Sequence, residues 1–475
     1  MAAIITEKFR LHNAKQFREV ASESGNDMYM FIGRPSAWTD DSNPPTPVDS
    51  LNDEYDAYRN MVALKLISST DVSHAVVRRD WTSGTVYDEY RHNYSSSNTA
   101  TSGASTLWAS TFFIVTDDYN VYKCISNNNG ATSTVKPDHT TVAISTESDG
   151  YKWKFMYSIS ASEVIKFVTS DFIPVKTLGA KSAVEGDTGA LGATAADDTS
   201  AQWDVENGAT DGTIEHIRVT AGGSGYSTAG THTIAISGDG TAGTAAVVVS
   251  GGAVTSATIN AVGSNYSVAE ISNTVLQASA GSGSGAAFDI IVSPKNGHGS
   301  DPVEELGGNY VIVNSRLEYA EGSGDFPTDN DFRQIGLIVN PTNIGTDTLS
   351  SAATLSASNA FTMAAGADMP TVDDVIKNAH PTASGTGTGI VVSVDSTNRI
   401  VSYLPSSGST GIYNDFSSSD TVYSSAGTSL GTISSLDATR PEIKRNSGDI
   451  VYLENRGAVA RAADQIEDIK LIIEM

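Results

Sequence analysis

The chain has 475 residues, with 29 Lys plus Arg against 55 Asp plus Glu, for a net charge of −26 and a pI near 4.5. At about 150 residues per domain it holds roughly three domains and can bury a real core, which excludes a peptide hormone or a lone binding motif. A nucleic-acid backbone is bound by clustered cations, so the acid excess argues against nucleic acid and for partners with basic faces.

Forty-three glycines beside abundant Ser, Thr and Ala favour strands and turns over long helices, and the predicted class is mainly β with α (α+β). Cys124 stands alone, so neither an internal disulfide nor a Cys-rich zinc site can form. Its neighbours Val121, Tyr122 and Ile125 predict that it is buried. Charges at Glu7 and Lys8 fall where a secretory signal needs its apolar stretch, and no run of 18 apolar residues occurs. The expectation is a soluble protein made in the cytoplasm, without membrane insertion.

Residues 1–178 have ordinary globular composition and are read as the first part of a core domain. Leu11, Ala14, Phe17, Val20 and Ala21 recur at helical spacing, predicting a helix from near Asn13 to Ser24, stopped by Gly25-Asn26. A strand from Met28 to Ile32 and a stiff extended loop over Pro44 to Pro47 follow. Ser50, three residues before Asp53, predicts a capped helix with Leu51, Tyr55, Tyr58, Val62 and Leu66 on one face. Tyr151, Trp153, Phe155, Tyr157 and Ile159 alternate with Lys152, Lys154 and Ser158, the pattern of a half-buried strand. Ser160 and Glu163 predict a capping box opening a short helix.

Residues 179–302 shift to Gly, Ala, Ser and Thr, and between Lys181 and Lys295 the only basic residue is Arg218. Gly222-Gly223-Ser224-Gly225-Tyr226 recurs as Val262-Gly263-Ser264-Asn265-Tyr266, and the run Ala245 to Ser250 matches Ala286 to Ser293. Two copies are too few for a solenoid, so a small pseudo-symmetric β module is expected. Disorder is the alternative, opposed by the β-branched runs Thr244 to Val249 and Ile290 to Val292. The core returns over 303–342, with strands near Tyr310 to Asn314 and Gln334 to Val339. A second β module covers 343–439, with strands Gly389 to Val394 and Arg399 to Leu404 around a turn at Asp395 to Asn398. Core strands Ile450 to Leu453 and Ile466 to Ile473 close the chain within 440–475.

Gly238-Asp239-Gly240-Thr241-Ala242-Gly243 satisfies a dinucleotide fingerprint, but Thr244 to Ser250 continues as a strand where a phosphate-binding helix is required, so a hairpin turn is expected. Gly427-Thr428-Ser429-Leu430-Gly431 resembles a nucleophile elbow, yet the last histidine, His380, precedes it and the chain order fails. Gly222 to Ser227 has Ser227 where a calcium-binding glycine repeat has Asp. The histidines are scattered, so no metal ligands, catalytic residues or cofactor site are assigned. The pairs Asp40-Asp41, Asp117-Asp118 and Asp197-Asp198 read as solvated turns. Arg78-Arg79-Asp80-Trp81 is the densest cationic spot. Arg and Trp suit interface centres, whereas an Arg-Asp pair locking a loop over a core Trp81 explains it equally well. Asn455-Arg456 has the same two readings.

Several stretches resemble, in order, the baseplate wedge subunit of the eighth gene-product type from T-even-like contractile-tailed phages. They are Ile4 to Arg10, Phe31-Ile32-Gly33-Arg34-Pro35-Ser36-Ala37-Trp38, Arg78-Arg79-Asp80-Trp81, Asp149 to Phe155, Phe332-Arg333-Gln334-Ile335 through Asn340-Pro341, Ser447 to Arg456, and Asp464-Gln465. The resemblance implies a β-sandwich-rich core with flanking helices and a homodimer within each baseplate wedge that binds other wedge proteins and relays the rearrangement behind sheath contraction. It also implies a place in the virion tail and no enzymatic activity. The two Gly/Ser/Thr-rich modules depart from the family and look like grafts that could contact the host surface. The alternative is a receptor-binding or polysaccharide-acting tail protein.

Overall fold

The structure is a computed structural model and describes residues 4–21, 23, 25–179, 200–318, 326–380, 387–406, 415–462 and 465–475. Ser24, Asp197-Asp198 and Asp464, singled out above, lie outside the described residues. The fold is β-rich α+β, with 42% strand and 13% helix. It forms two compact units, one of Met1–Gln16, Ser73–Ile312 and Ile472–Met475, the other of Phe17–Val72 and Val313–Leu471.

The first helix is Glu7–Val20, six residues ahead of the predicted start. Thr6 supplies the reason, because its Oγ1 accepts from Phe9 N at 3.2 Å and satisfies an amide that the helix cannot. Leu11 and Ala14 are its buried residues.

In the first unit, Phe113–Val115, Asn120–Ser126, Lys152–Ser158 and Ser145–Thr146 form a four-stranded antiparallel sheet. Tyr122, Cys124, Trp153 and Phe155 pack with Tyr87, Tyr151 and Val205. Val121, Met156 and Tyr157 belong to a second cluster with Phe112, Val303 and Leu306. Lys152–Ser158 is therefore not the half-buried strand its alternation predicts: Lys154 is buried too. Later segments of the chain cover the face on which water was expected. The capping box after it is as predicted, with Ser160 N donating to Glu163 Oε2 at 2.9 Å and Glu163 N to Ser160 Oγ at 3.4 Å.

Residues 201–292 fold into strands and the two short helices Ala201–Gly208 and Asn273–Ala280, which removes the disorder reading for that span. Thr241–Ser250 and Ala253–Ser264 form a hairpin whose turn, Gly251-Gly252, has φ of 62° and 80°, as a two-residue primed turn demands. Ser284–Val292 pairs back onto Ile214–Ser224. The second strand of each copy thus pairs with the first strand of the next, and the last closes on the first. This cyclic pairing lets two copies satisfy each other without further stacking. The copies differ between the tyrosine and the second strand: the first has the strand Gly230–Ala235, where the second has the helix Asn273–Ala280. No helix follows Gly238 to Gly243, so the hairpin reading of that motif stands.

In the second unit, five antiparallel strands run in the order Thr354–Ser356, Met61–Ile67, Met28–Gly33, Asp331–Val339, Asp449–Ala460. The helix before Met61 is Leu51–Asn60, with Ser50 Oγ accepting from Asp53 N at 3.2 Å. Val62 and Leu66 are consequently strand residues rather than helical ones, and Leu51 and Tyr55 are exposed instead of facing a core. A continuous apolar run carries no helical period of its own, and central-sheet burial decides its state. The second Gly/Ser/Thr-rich stretch closes a six-stranded barrel of Asn359–Met363, Ile400–Ser406, Thr388–Asp395, Val375–Lys377, Thr421–Ser424 and Ser429–Leu436. Phe361, Tyr403, Phe416, Val391 and Ile433 fill it. Gly427 leads into a strand, not a helix, so no nucleophile elbow forms.

Candidate interaction surface

Arg78, Arg79, Asp80 and Trp81 follow the strand Val72–Val77 and are occupied within their own unit. Arg78 Nε donates to Asp80 Oδ1 at 2.9 Å and its Nη1 to Thr169 O at 3.0 Å. The Arg79 guanidinium lies 4.4 Å from the Phe113 ring centroid, and burial pushes its pKa down to about 10. Trp81 Nε1 donates to Ser133 Oγ at 3.1 Å, and its ring packs against the Tyr87 and Trp153 cluster. Asp80 is the exposed member of the four.

In the second unit three of the family-like stretches converge. Arg34 stacks over the Trp38 ring at 3.5 Å, and Trp38 Nε1 donates to Arg456 O at 2.9 Å. Asp41 accepts from Trp38 N at 2.8 Å and from Arg333 Nε at 3.0 Å. Arg333 also reaches Pro35 O and Asp331 at 3.0 Å. Gln334 Nε2 donates to Asn455 Oδ1 at 2.9 Å, and Asn455 Nδ2 donates to Pro45 O at 3.0 Å. Together they strap residues 34–45 onto the sheet. The hydrogen bond from Arg333 holds the Asp41 carboxyl below the usual carboxylate range. Asp41 is thus an ion-pair partner rather than a solvated turn residue, and Asp117 and Asp118, though exposed, also pair, with Lys136 at 2.6 and 2.8 Å.

Composition and periodicity missed the buried charges. Lys123, fully buried, pairs with Glu305, which also accepts from Gly299 N at 2.8 Å and Asp301 N at 3.2 Å. Lys154 donates to Val142 O, and burial lowers its pKa to about 8. His298 meets Tyr90 edge-on at 4.9 Å and stays neutral, since burial and then the two lysines drive its pKa far down. Arg461, buried in the second unit, pairs with Glu467 at 3.1 Å. Period-two alternation marks Lys123 and Lys154 as outward, and no local pattern says what covers them.

What remains exposed is apolar in places. Val48, Leu51, Tyr55 and Val451 in the second unit are 64%, 71%, 44% and 51% exposed. Leu51 and Tyr55 lie one turn apart on the same helix. Among the described residues, no group of His, Cys, Asp or Glu could hold a metal ion, and no helix is long and apolar enough to cross a membrane.

Residues 3–136 match the protein family described as Phage-Gp8: Bacteriophage T4, Gp8. That match, over less than a third of the chain, supports a T4-like baseplate wedge identity of the Gp8 type. The same match supports a structural role in the virion tail baseplate. The matched span contains Phe31 to Trp38 and Arg78 to Trp81, while Asp149 to Phe155, Phe332 to Pro341 and Ser447 to Arg456 lie beyond it. No curated protein matches the chain.

Proposed function

We propose that this baseplate component works by binding a second copy of itself and neighbouring wedge proteins, and that it relays the rearrangement that triggers sheath contraction without catalysing a reaction. The family match over residues 3–136 carries the reading. The braces support it: a relay must be rigid inside and switch at its contacts, and the Arg333-Asp41-Trp38 strap stiffens a surface loop from within. Arg78, Arg79, Asp80, Trp81, Asn455 and Arg456 serve interfaces in this reading by shaping the loops that partners meet. The spans 179–302 and 343–439 are grafts on the family core, which comprises 1–178, 303–342 and 440–475.

Light scattering coupled to size exclusion tests the self-association. The expected mass is about twice 49.6 kDa, the two-fold homodimer. A stable trimer overturns this and favours a receptor-binding tail protein, whose next assay is host-glycan binding.

A further inference from the structure

The strand Asp449–Ala460 is an edge of its five-stranded sheet, and edges with unpaired backbone are usually covered or blunted. Part of it is covered, since residues 455–457 carry the loop that Trp38 and Asn455 hold down. The stretch before that borders a cleft of about 290 Å³, lined by Ile450–Leu453 on one side and by Pro47, Val48, Asp49, Ser50, Asp53 and Glu54 on the other. Val451 has no partner in the ladder, because Leu337 pairs with Tyr452 and Ile338 with Ile450. Such a bulge re-aims a side chain, and Val451 is 51% exposed at the cleft.

The rim has one sign. Asp49 and Asp449 are exposed and Glu54 is half-buried. Tyr58, on the same helix as Glu54, donates its hydroxyl to Gly448 O at 2.6 Å, which ties the residue before Asp449 to that helix. Asp53 is committed to the helix cap, accepting from Ser50 Oγ at 3.2 Å and Val48 N at 2.9 Å. A second copy would bring the same carboxylates against these, and like charges oppose that contact. An acidic rim around Val48 and Val451 fits a basic rim around apolar side chains.

We propose that this cleft docks an extended segment of a neighbouring protein in which basic and apolar side chains alternate, the apolar ones seated against Val48 and Val451 and the basic ones on Asp49, Glu54 and Asp449. The inference rests on the reading that the chain acts by binding neighbours, and it adds where one of them binds and with what chemistry.

The test uses the full-length chain and a fluorescein-labelled peptide of alternating lysine and valine, read by fluorescence anisotropy. Binding should weaken about tenfold or more for Asp49→Lys/Glu54→Lys, and likewise for Val451→Ser, which leaves every carboxylate in place. A lysine-serine peptide of equal charge should bind about tenfold more weakly than the lysine-valine one. Thermal melts matching the parent chain establish that each variant is folded, and either variant alone suffices. Equal binding of both peptides, or binding unchanged by both variants, overturns the proposal and leaves only general attraction to an acidic chain. Absence of binding overturns it as well. A dimeric mass with no cleft binding sinks this inference alone, whereas a trimer with cleft binding sinks the wedge reading alone.

Discussion

Two stretches of similar Gly, Ser and Thr content, the repeat module and the barrel, close their sheets by different means. In the module, closure falls to one tyrosine per copy. Tyr266 Oη accepts from Gly243 N at 3.2 Å and donates to Ile236 O at 3.1 Å, while Tyr226 Oη accepts from Ala286 N at 3.3 Å and donates to Asn273 Oδ1 at 2.6 Å. Each ring lies flush on a glycine, since a Cβ at Gly240 would sit 2.4 Å from Tyr266 and one at Gly283 would sit 2.3 Å from Tyr226. The barrel closes instead around Phe361, Tyr403 and Phe416, whose ring centroids lie 5.0 to 5.4 Å apart. Low-complexity composition therefore specifies neither disorder nor one architecture. What decides is where the few large side chains fall: at repeat ends they pin strands pairwise, and inside the barrel, from two strands and the loop residue Phe416, they make one core.

The contrast can be broken most forcefully by truncating its anchors. Tyr266→Ala and Phe361→Ala should each cost about 3–5 kcal/mol, read by urea unfolding. Hydrogen exchange should separate them: Tyr266→Ala exposes strands of both copies because their pairing is cyclic, and Phe361→Ala exposes the barrel strands. Exchange confined to one copy after Tyr266→Ala would break the cyclic account.

The segment that follows the module is anchored by buried charge, and this too can be tested. Lys123→Met leaves Glu305 buried without its cation and should destabilise the first unit by about 3 kcal/mol or more. A loss below about 1 kcal/mol would show the pair to be solvated.

Lys154 gives a dependence on pH. Its folded pKa of about 8 lies below the ordinary lysine value near ~10.4, so between those values the unfolded chain holds more protons. Its contribution is complete above the unfolded value and is lost as pH falls through the folded one. Lys154→Met should be the more stable form at pH 7 by about 1–2 kcal/mol, with the advantage gone near pH 10. An advantage that persists there would mean the gain comes from packing. The smallest expected effect is the sharpest test of the pseudo-symmetry: Tyr226→Phe and Tyr266→Phe should each lose about 1 kcal/mol, and a marked inequality would deny that the two pins are equivalent.

Much of this was legible along the chain. The repeat announced itself through Tyr226 and Tyr266, and both capped helices through Ser50 and Ser160. The strands around Asp395 to Asn398 followed from their turn, where Asp395 Oδ1 accepts from Thr397 N at 2.9 Å and Asn398 N at 3.0 Å. The stretches Phe31 to Trp38, Phe332 to Ile335 and Ser447 to Arg456 were visible as separate motifs. Their convergence into a strap was not, because Asp41 and Arg333 lie 292 positions apart and nothing local joins them.

Local chemistry, then, determined the caps, the primed glycine turn and the turn at Asp395 to Asn398, since each depends on atoms within a few residues of one another. Only the tertiary structure decided that the run after Asn60 becomes a central strand, that Lys123 and Lys154 lie in the interior, and that the edge beside Val451 stays open. Those outcomes depend on which distant segment covers a face, and a side chain's cost of burial is set by the partner that arrives.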